Sequence, residues 1–154
     1  MHVRDACEQD AQDACLVVRR SIVELCSLDH RGDRNTLDLW LANKTAASMR
    51  RWICEHHVLV AAEAGAILGV AAMTSSGEII LNYVSPDARL RGVSKALVRG
   101  LEVRAATVGI GRLTLKSTAT AVHFYRSIGY TKSGAPSQGF GITMGQPMQK
   151  CLPK

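Results

Sequence analysis

Residues 89 to 95, RLRGVSK, set three cations around a glycine and a serine. Those residue types at that spacing can hold an anion. A helix N-terminus leaves backbone N–H groups unpaired and carries about half a positive charge. Where a turn of small residues precedes it, amides and dipole together bind phosphate. Gly92 has no Cβ, so a phosphate can approach its backbone closely. Ser94 is small and adds a hydroxyl, and Arg89, Arg91 and Lys95 bring charge. The spacing is not that of a Walker A loop, because no glycine stands five residues before Gly92, and no GxGxxG is present. Taken alone, the stretch fits a solvated helix start as well as an anion cradle.

The charge distribution bears on that choice. The chain carries a net charge of +6, and residues 85–132 hold nine Lys or Arg against two acids, Asp87 and Glu102. The rest of the chain is close to neutral, so the whole excess surrounds the glycine turn. A local positive field suits an anionic ligand. General nucleic-acid binding would call for basic stripes interleaved with aromatics, and aromatics are only 5% of the residues. No nucleic-acid partner is expected. The five cysteines form no CxxC pair and no histidine cluster has zinc spacing, so no metal is expected and the thiols read as reduced. No leader and no apolar run of about 18 residues is present. The expectation is a cytoplasmic protein without a membrane partner, forming a single domain over residues 1–154.

The elements that must position the cradle follow from hydrophobic periodicity. A first strand is predicted in MHVRDA. A helix follows over 8–26, with Ala14, Val17, Val18, Ile22 and Leu25 on one side. Residues 27–34 read as a polar loop containing Asp29, His30 and Asp33, whose acids could attract a cationic amine. Residues 35–53 read as two short helices or one broken helix, capped by Asn35. Three β-rich runs over 57–63, 66–75 and 78–85, joined by glycine turns, read as an antiparallel meander. Residues 91–109 predict an amphipathic helix with Leu97, Leu101, Ala105 and Val108 on one face. A strand over 112–117 follows, reached from residue 78 by a parallel crossover. A short helix over 118–129, capped by Ser117 or Thr118, precedes closing strands in 130–134 and 142–152. The order β-α-α-β-β-β-α-β-α-β-β gives an α+β fold, a mixed and mostly antiparallel sheet flanked by helices.

The stretch VSPDARLRGVSKAL resembles the acyl-CoA signature of the GNAT superfamily of N-acetyltransferases, V-x-P-x-x-[QR]-x-x-G-x-[GAS]-x-x-L, matching at Val84, Pro86, Arg89, Gly92, Ser94 and Leu97. A second block, TAVHFYRSIGY, resembles the A-x-x-[FL]-Y-x-x-x-G-[FY] element of the same family, matching at Ala121, Phe124, Tyr125, Gly129 and Tyr130. The resemblance covers residues 58–132. It implies the GNAT acyl-CoA N-acyltransferase fold and acetyl-CoA as cosubstrate.

It also implies roles. The backbone amides of Arg89, Leu90, Arg91, Gly92, Val93, Ser94 and Lys95 would hold the pyrophosphate. Main-chain groups of Asn82, Tyr83 and Val84 would pair with the pantetheine arm and polarise the thioester carbonyl. Tyr125 would protonate the departing thiolate. Seven residues before it, Thr118 stands where the family often has an asparagine that contacts pantetheine. Glu78 aligns with the general base of histone-acetylating members, with His123, His56, His57 or a water chain as rivals. The implied reaction is acetyl transfer from acetyl-CoA to a primary amine, on a small molecule or a peptide, by direct attack in a ternary complex. The alternative is a non-catalytic acyl-CoA-binding module acting as sensor or partner-binding protein. A homodimer, paired through the closing strands, is a further expectation from the family.

Overall fold

A computed structural model describes residues 1–139 and 142–154. The chain runs β1 (His2–Asp5), α1 (Ala11–Leu25), α2 (Ser27–His30), α3 (Arg34–Leu41), α4 (Ala46–Glu55), β2 (His57–Glu63), β3 (Ala66–Met73), β4 (Glu78–Val84), α5 (Val93–Thr107), β5 (Arg112–Thr118), α6 (Val122–Ser127), β6 (Thr131–Lys132), β7 (Gln138–Gly139) and β8 (Ile142–Cys151). The sheet path is β1-β2-β3-β4-β5-β8-β6, with β7 also pairing β8. β4 and β5 run parallel and the other pairs are antiparallel. This is the α+β mixed sheet expected, and the crossover through α5 is the expected parallel step.

Strand alternation divides the apolar residues between the two faces of the sheet. Val58, Val60, Val70, Ala72 and Leu81 meet Ala14, Val18 and Ile22 of α1, Trp40 of α3 and Met49 of α4. Leu59, Ala61, Ala71, Met73 and Ile79 meet Val93, Leu97, Val98 and Leu101 of α5 and Tyr125 of α6. Gly69 shows how tightly α5 is seated. A Cβ there would lie 2.7 Å from Val93 Cγ1, 2.9 Å from Leu97 Cδ1 and 3.1 Å from the Tyr83 carbonyl oxygen. Only glycine lets β3 pass so close to the first turns of that helix.

Several expectations are corrected. Residues 27–30 are helical rather than a polar loop, and Asp29 and His30 are buried. His30 Nε2 faces the carbonyls of Ile22 and Val23, and its Nδ1 accepts from the Gly32 N–H at 2.9 Å. Those bonds bend the chain back under α1, which periodicity cannot reveal in so short a segment. The N-cap of α3 is Asp33, whose carboxylate accepts from the Thr36 amide at 2.9 Å, not Asn35. The region read as two helices or one broken one is two, α4 being capped by Thr45 accepting from the Ser48 amide. α5 begins at Val93 rather than at Arg91, because Gly92 is in the left-handed region. Val108 lies just past α5 and is exposed. The predicted helix over 118–129 is a 3-10 turn, Ala119–Ala121, followed by α6. At its start neither the Thr118 nor the Ser117 hydroxyl makes a cap: Thr118 forms no side-chain cap bond and Ser117 Oγ donates to the Thr118 carbonyl.

Candidate active site

Two features of β4 build the site. The first is a bulge. The register with β3 passes from Ala72↔Leu81 to Met73↔Ile79, so Ile80 is an extra residue. A bulge re-aims the side chains beyond it. Leu81 and Tyr83 thereby face the α1–α4 layer, and Asn82 faces the α5–α6 layer that holds Tyr125. The second is a split. The ladder between β4 and β5 consists of Glu78↔Thr114 and Ile79↔Leu115 and stops there. From residue 80 to Val84 the β5 side of β4 is left to other partners.

Tyr125 stands over this split. It is buried, with edge-to-face contacts to Phe124 at 5.1 Å and Tyr130 at 5.8 Å between ring centroids. Its hydroxyl accepts a hydrogen bond from Asn82 Nδ2 at 2.9 Å. Burial pushes the phenol above its ordinary value, and the Asn82 bond opposes that. The carbonyl oxygen of the same amide, Asn82 Oδ1, is buried and has no hydrogen-bond partner in the structure. On the other face, Trp40 Nε1 lies 3.2 Å from the Tyr83 hydroxyl, and burial raises that phenol too.

Beyond β4 the chain turns into the cradle. Ser85 Oγ accepts from the Asp87 amide, closing a 3-10 turn over Pro86–Ala88. Arg20 of α1 pairs with Asp87 at 3.0 Å. Leu90 then takes φ +61° and Gly92 φ +76°, both left-handed. Gly92 caps α5 with no side-chain bond to its first amides. A Cβ on Gly92 would meet nothing within 4 Å, so the approach to those amides is open. Arg89, Arg91 and Lys95 are exposed around it, while Val93 is buried and Ser94 half-buried. Arg91 is engaged by Glu63 at the end of β2, at 2.7 Å. An uncapped helix start, an open glycine and three cations fit a pyrophosphate.

The structure thus sets the strand end 82–84 between Tyr125, which Asn82 touches, and the turn into the 89–95 cradle. Thr118 ends β5 across the split, half-buried, its hydroxyl 3.5 Å from that of Thr120. Glu78 lies apart, at the start of β4 beside Thr114, four residues or roughly 13 Å of strand before Asn82. His56 and His57 lie at that same end of the sheet, His57 pairing with Met73. His123 is exposed on α6.

Two groups went unnoticed in the sequence. The Asn82 side chain is one; only its main chain was singled out. The other is the link from Asp29 to Thr120, whose hydroxyl and amide both donate to the carboxylate. It ties α2 to the turn that launches α6, beside Tyr83. A polar residue on an otherwise apolar strand was the available signal for the first. The second joins positions too far apart in the chain for any local pattern to couple.

Residues 32–152 match the profile of the acetyltransferase (GNAT) domain family. Three solved structures share the fold. A GCN5-related N-acetyltransferase structure from Rhodopseudomonas palustris is 24% identical with a TM-score of 0.87, over 98% of this chain and 95% of that one. The PaiA N-acetyltransferase of Thermoplasma acidophilum, in complex with coenzyme A, is 16% identical with a TM-score of 0.80, over 98% of each chain. An aminoglycoside 6'-N-acetyltransferase complexed with coenzyme A is 13% identical with a TM-score of 0.74, over 100% of this chain and 99% of that one. No curated protein matches the sequence.

Proposed function

The chain belongs to the GNAT acetyltransferase family, and from there we propose that it moves an acetyl group from acetyl-CoA to a primary amine by direct attack in a ternary complex. The observation that carries the reading is the placing of a buried tyrosine hydroxyl at the β4–β5 split, one short turn from an open, uncapped helix start rich in cations. Coenzyme A in two relatives of the same fold supports the choice of donor.

Acetyl-CoA would supply an activated carbonyl and a thiolate leaving group. The amides of residues 89–95, with Arg89, Arg91 and Lys95, hold its phosphates. The free β5-facing main chain of Asn82, Tyr83 and Val84 takes the pantetheine arm as an added strand would, and Thr118 contributes a hydroxyl from across the split. The amine nitrogen bonds to the carbonyl carbon, the C–S bond breaks, and Tyr125 gives its proton to the sulfur. The phenol's raised value keeps that proton in place at neutral pH. The amine must shed its own proton before attack. Glu78, His123, His57 and a water chain leading from the site are the candidates for receiving it.

Cys26 supports direct attack. It lies near Tyr83 and Asp29, where a nucleophile for a two-step route would be useful. Burial and Asp29 push its thiol up to about 12, so it stays protonated and inert.

The acceptor is an amine on a small molecule or a peptide. A screen of polyamines, amino acids, aminoglycosides and peptide N-termini, read by release of free thiol, tests the reading. Acetyl-CoA-dependent thiol release with at least one amine is expected, and Tyr125→Phe should slow it roughly 10²-fold or more with acetyl-CoA affinity nearly unchanged. Tight acetyl-CoA binding with no transfer to any amine, and no effect of Tyr125→Phe, would favour the binding-module reading instead.

A further inference from the structure

The bond between Asn82 and Tyr125 has a direction, and the direction matters. An asparagine amide offers N–H on one side and a carbonyl on the other. With Nδ2 toward the phenol, Tyr125 accepts and its own proton is free to point elsewhere. With the amide reversed, Tyr125 would donate to Oδ1 and its proton would be held. The first orientation is the one seen, at 2.9 Å. It leaves Oδ1 buried and without a partner. An unpaired buried acceptor weakens the fold, and a leucine at this position would avoid it. Neighbouring Leu81 and Ile79 show that the strand is otherwise apolar here.

We propose that Asn82 is a positioning residue for Tyr125: its amide N–H occupies the phenol oxygen and turns the phenol proton toward the place where the leaving sulfur stands. The inference rests on the acetyl-transfer reading above. When the C–S bond breaks, the electron pair goes to sulfur and the Tyr125 proton follows it. The phenolate left behind is stabilised by the Asn82 N–H and takes its next proton from solvent. The ionisable groups that bear on Tyr125 are the phenol of Tyr130, packed edge-to-face against it, and that of Tyr83 from the other side of β4; Asn82 donates the hydrogen bond to its oxygen.

Two variants of the full chain separate positioning from shape. Asn82→Leu removes the donor and the orphaned acceptor together. Asn82→Asp keeps the shape and lacks the N–H. Both should reduce kcat about 10- to 100-fold, with KM for acetyl-CoA changed less than about threefold. In a Tyr125→Phe background either change should cost less than about threefold, since the group it acts through is gone. Asn82→Leu should be at least as heat-stable as the parent. Without any substrate, the Tyr125 ring signal of tyrosine-labelled protein, assigned by its loss in Tyr125→Phe, should titrate at higher pH in both variants. An unchanged kcat, an equal loss in the Tyr125→Phe background, or an unchanged Tyr125 titration would each overturn the proposal. A parent chain that transfers no acetyl group would overturn the functional reading instead, and the titration would still decide the orientation of Asn82.

Discussion

Asp29 and Thr120, 91 residues apart, meet across the molecule: the Thr120 hydroxyl and amide both donate to the buried Asp29 carboxylate. The link fixes α2 against the 3-10 turn before α6, and so fixes the helix that carries Tyr125. Hydrogen bonds to a charged acceptor contribute more than neutral ones. Thr120→Val leaves the carboxylate buried without its main donor and should destabilise the fold by about 1.5–3 kcal/mol. Asp29→Asn, which can still accept, should cost less. Urea unfolding of the two variants checks the order; the reverse order would remove the link as a strut.

Gly69 sets the distance between β3 and the start of α5. Gly69→Ala puts a methyl group 2.7 Å from Val93 and 3.1 Å from the Tyr83 carbonyl. The overpacking should cost about 1–3 kcal/mol. Because Val93 opens α5, the displaced helix should also bind acetyl-CoA more weakly, by roughly tenfold. A thermal melt and a binding titration on the same sample read both effects. A variant of normal stability would mean that α5 moves freely.

Glu63 holds Arg91 at the edge of the cradle, and the terminal amine of Met1 also reaches it at 3.1 Å. The contact is exposed, and Arg91 holds the carboxyl below its ordinary value. A bound phosphate must compete with that carboxylate. Glu63→Gln should tighten acetyl-CoA binding a few-fold at low salt and less at high salt. Arg91→Ala should weaken it and flatten the salt dependence. Equal binding by all three proteins at low salt would take Arg91 out of the cradle.

Burial raises the phenols of Tyr83, Tyr125 and Tyr130, with Glu102 adding to the effect at Tyr130, whose hydroxyl donates to it at 2.8 Å. The unfolded chain ionises its tyrosines near pH 10. Above that the folded state binds more protons than the unfolded one, so stability falls as the pH rises further. Below it this contribution is complete and flat. Denaturant midpoints at about pH 8 and about pH 11 should differ, and Tyr130→Phe should shrink the difference. The same shift puts the alkaline limb of acetyl transfer above the ordinary tyrosine range.

How much of this could be read from the chain follows from the range of the forces involved. The amphipathic run around Gly92 and the β-rich runs over 57–85, joined by glycine turns, are local patterns, and they became α5 and the β2–β3–β4 meander. The motif residues fall where expected because the turn from β4 into α5 is built within ten residues. Asp33 displaced Asn35 as a cap because two polar residues two positions apart offer nearly equal local choices, which the surrounding packing decides. Residues 27–30 are helical because His30 is tied to α1 carbonyls, a tertiary bond. The Asn82 side chain was hidden for a different reason. Its facing depends on the bulge at Ile80, and one extra residue reverses every side chain after it.

The central claim is that the open helix start and the split strand together hold acetyl-CoA. Calorimetric titration of the full chain with acetyl-CoA tests it most directly. The account predicts a saturable complex of about micromolar dissociation constant or tighter, weakened by salt and by Arg91→Ala. No heat and no thermal shift at roughly millimolar acetyl-CoA would contradict it.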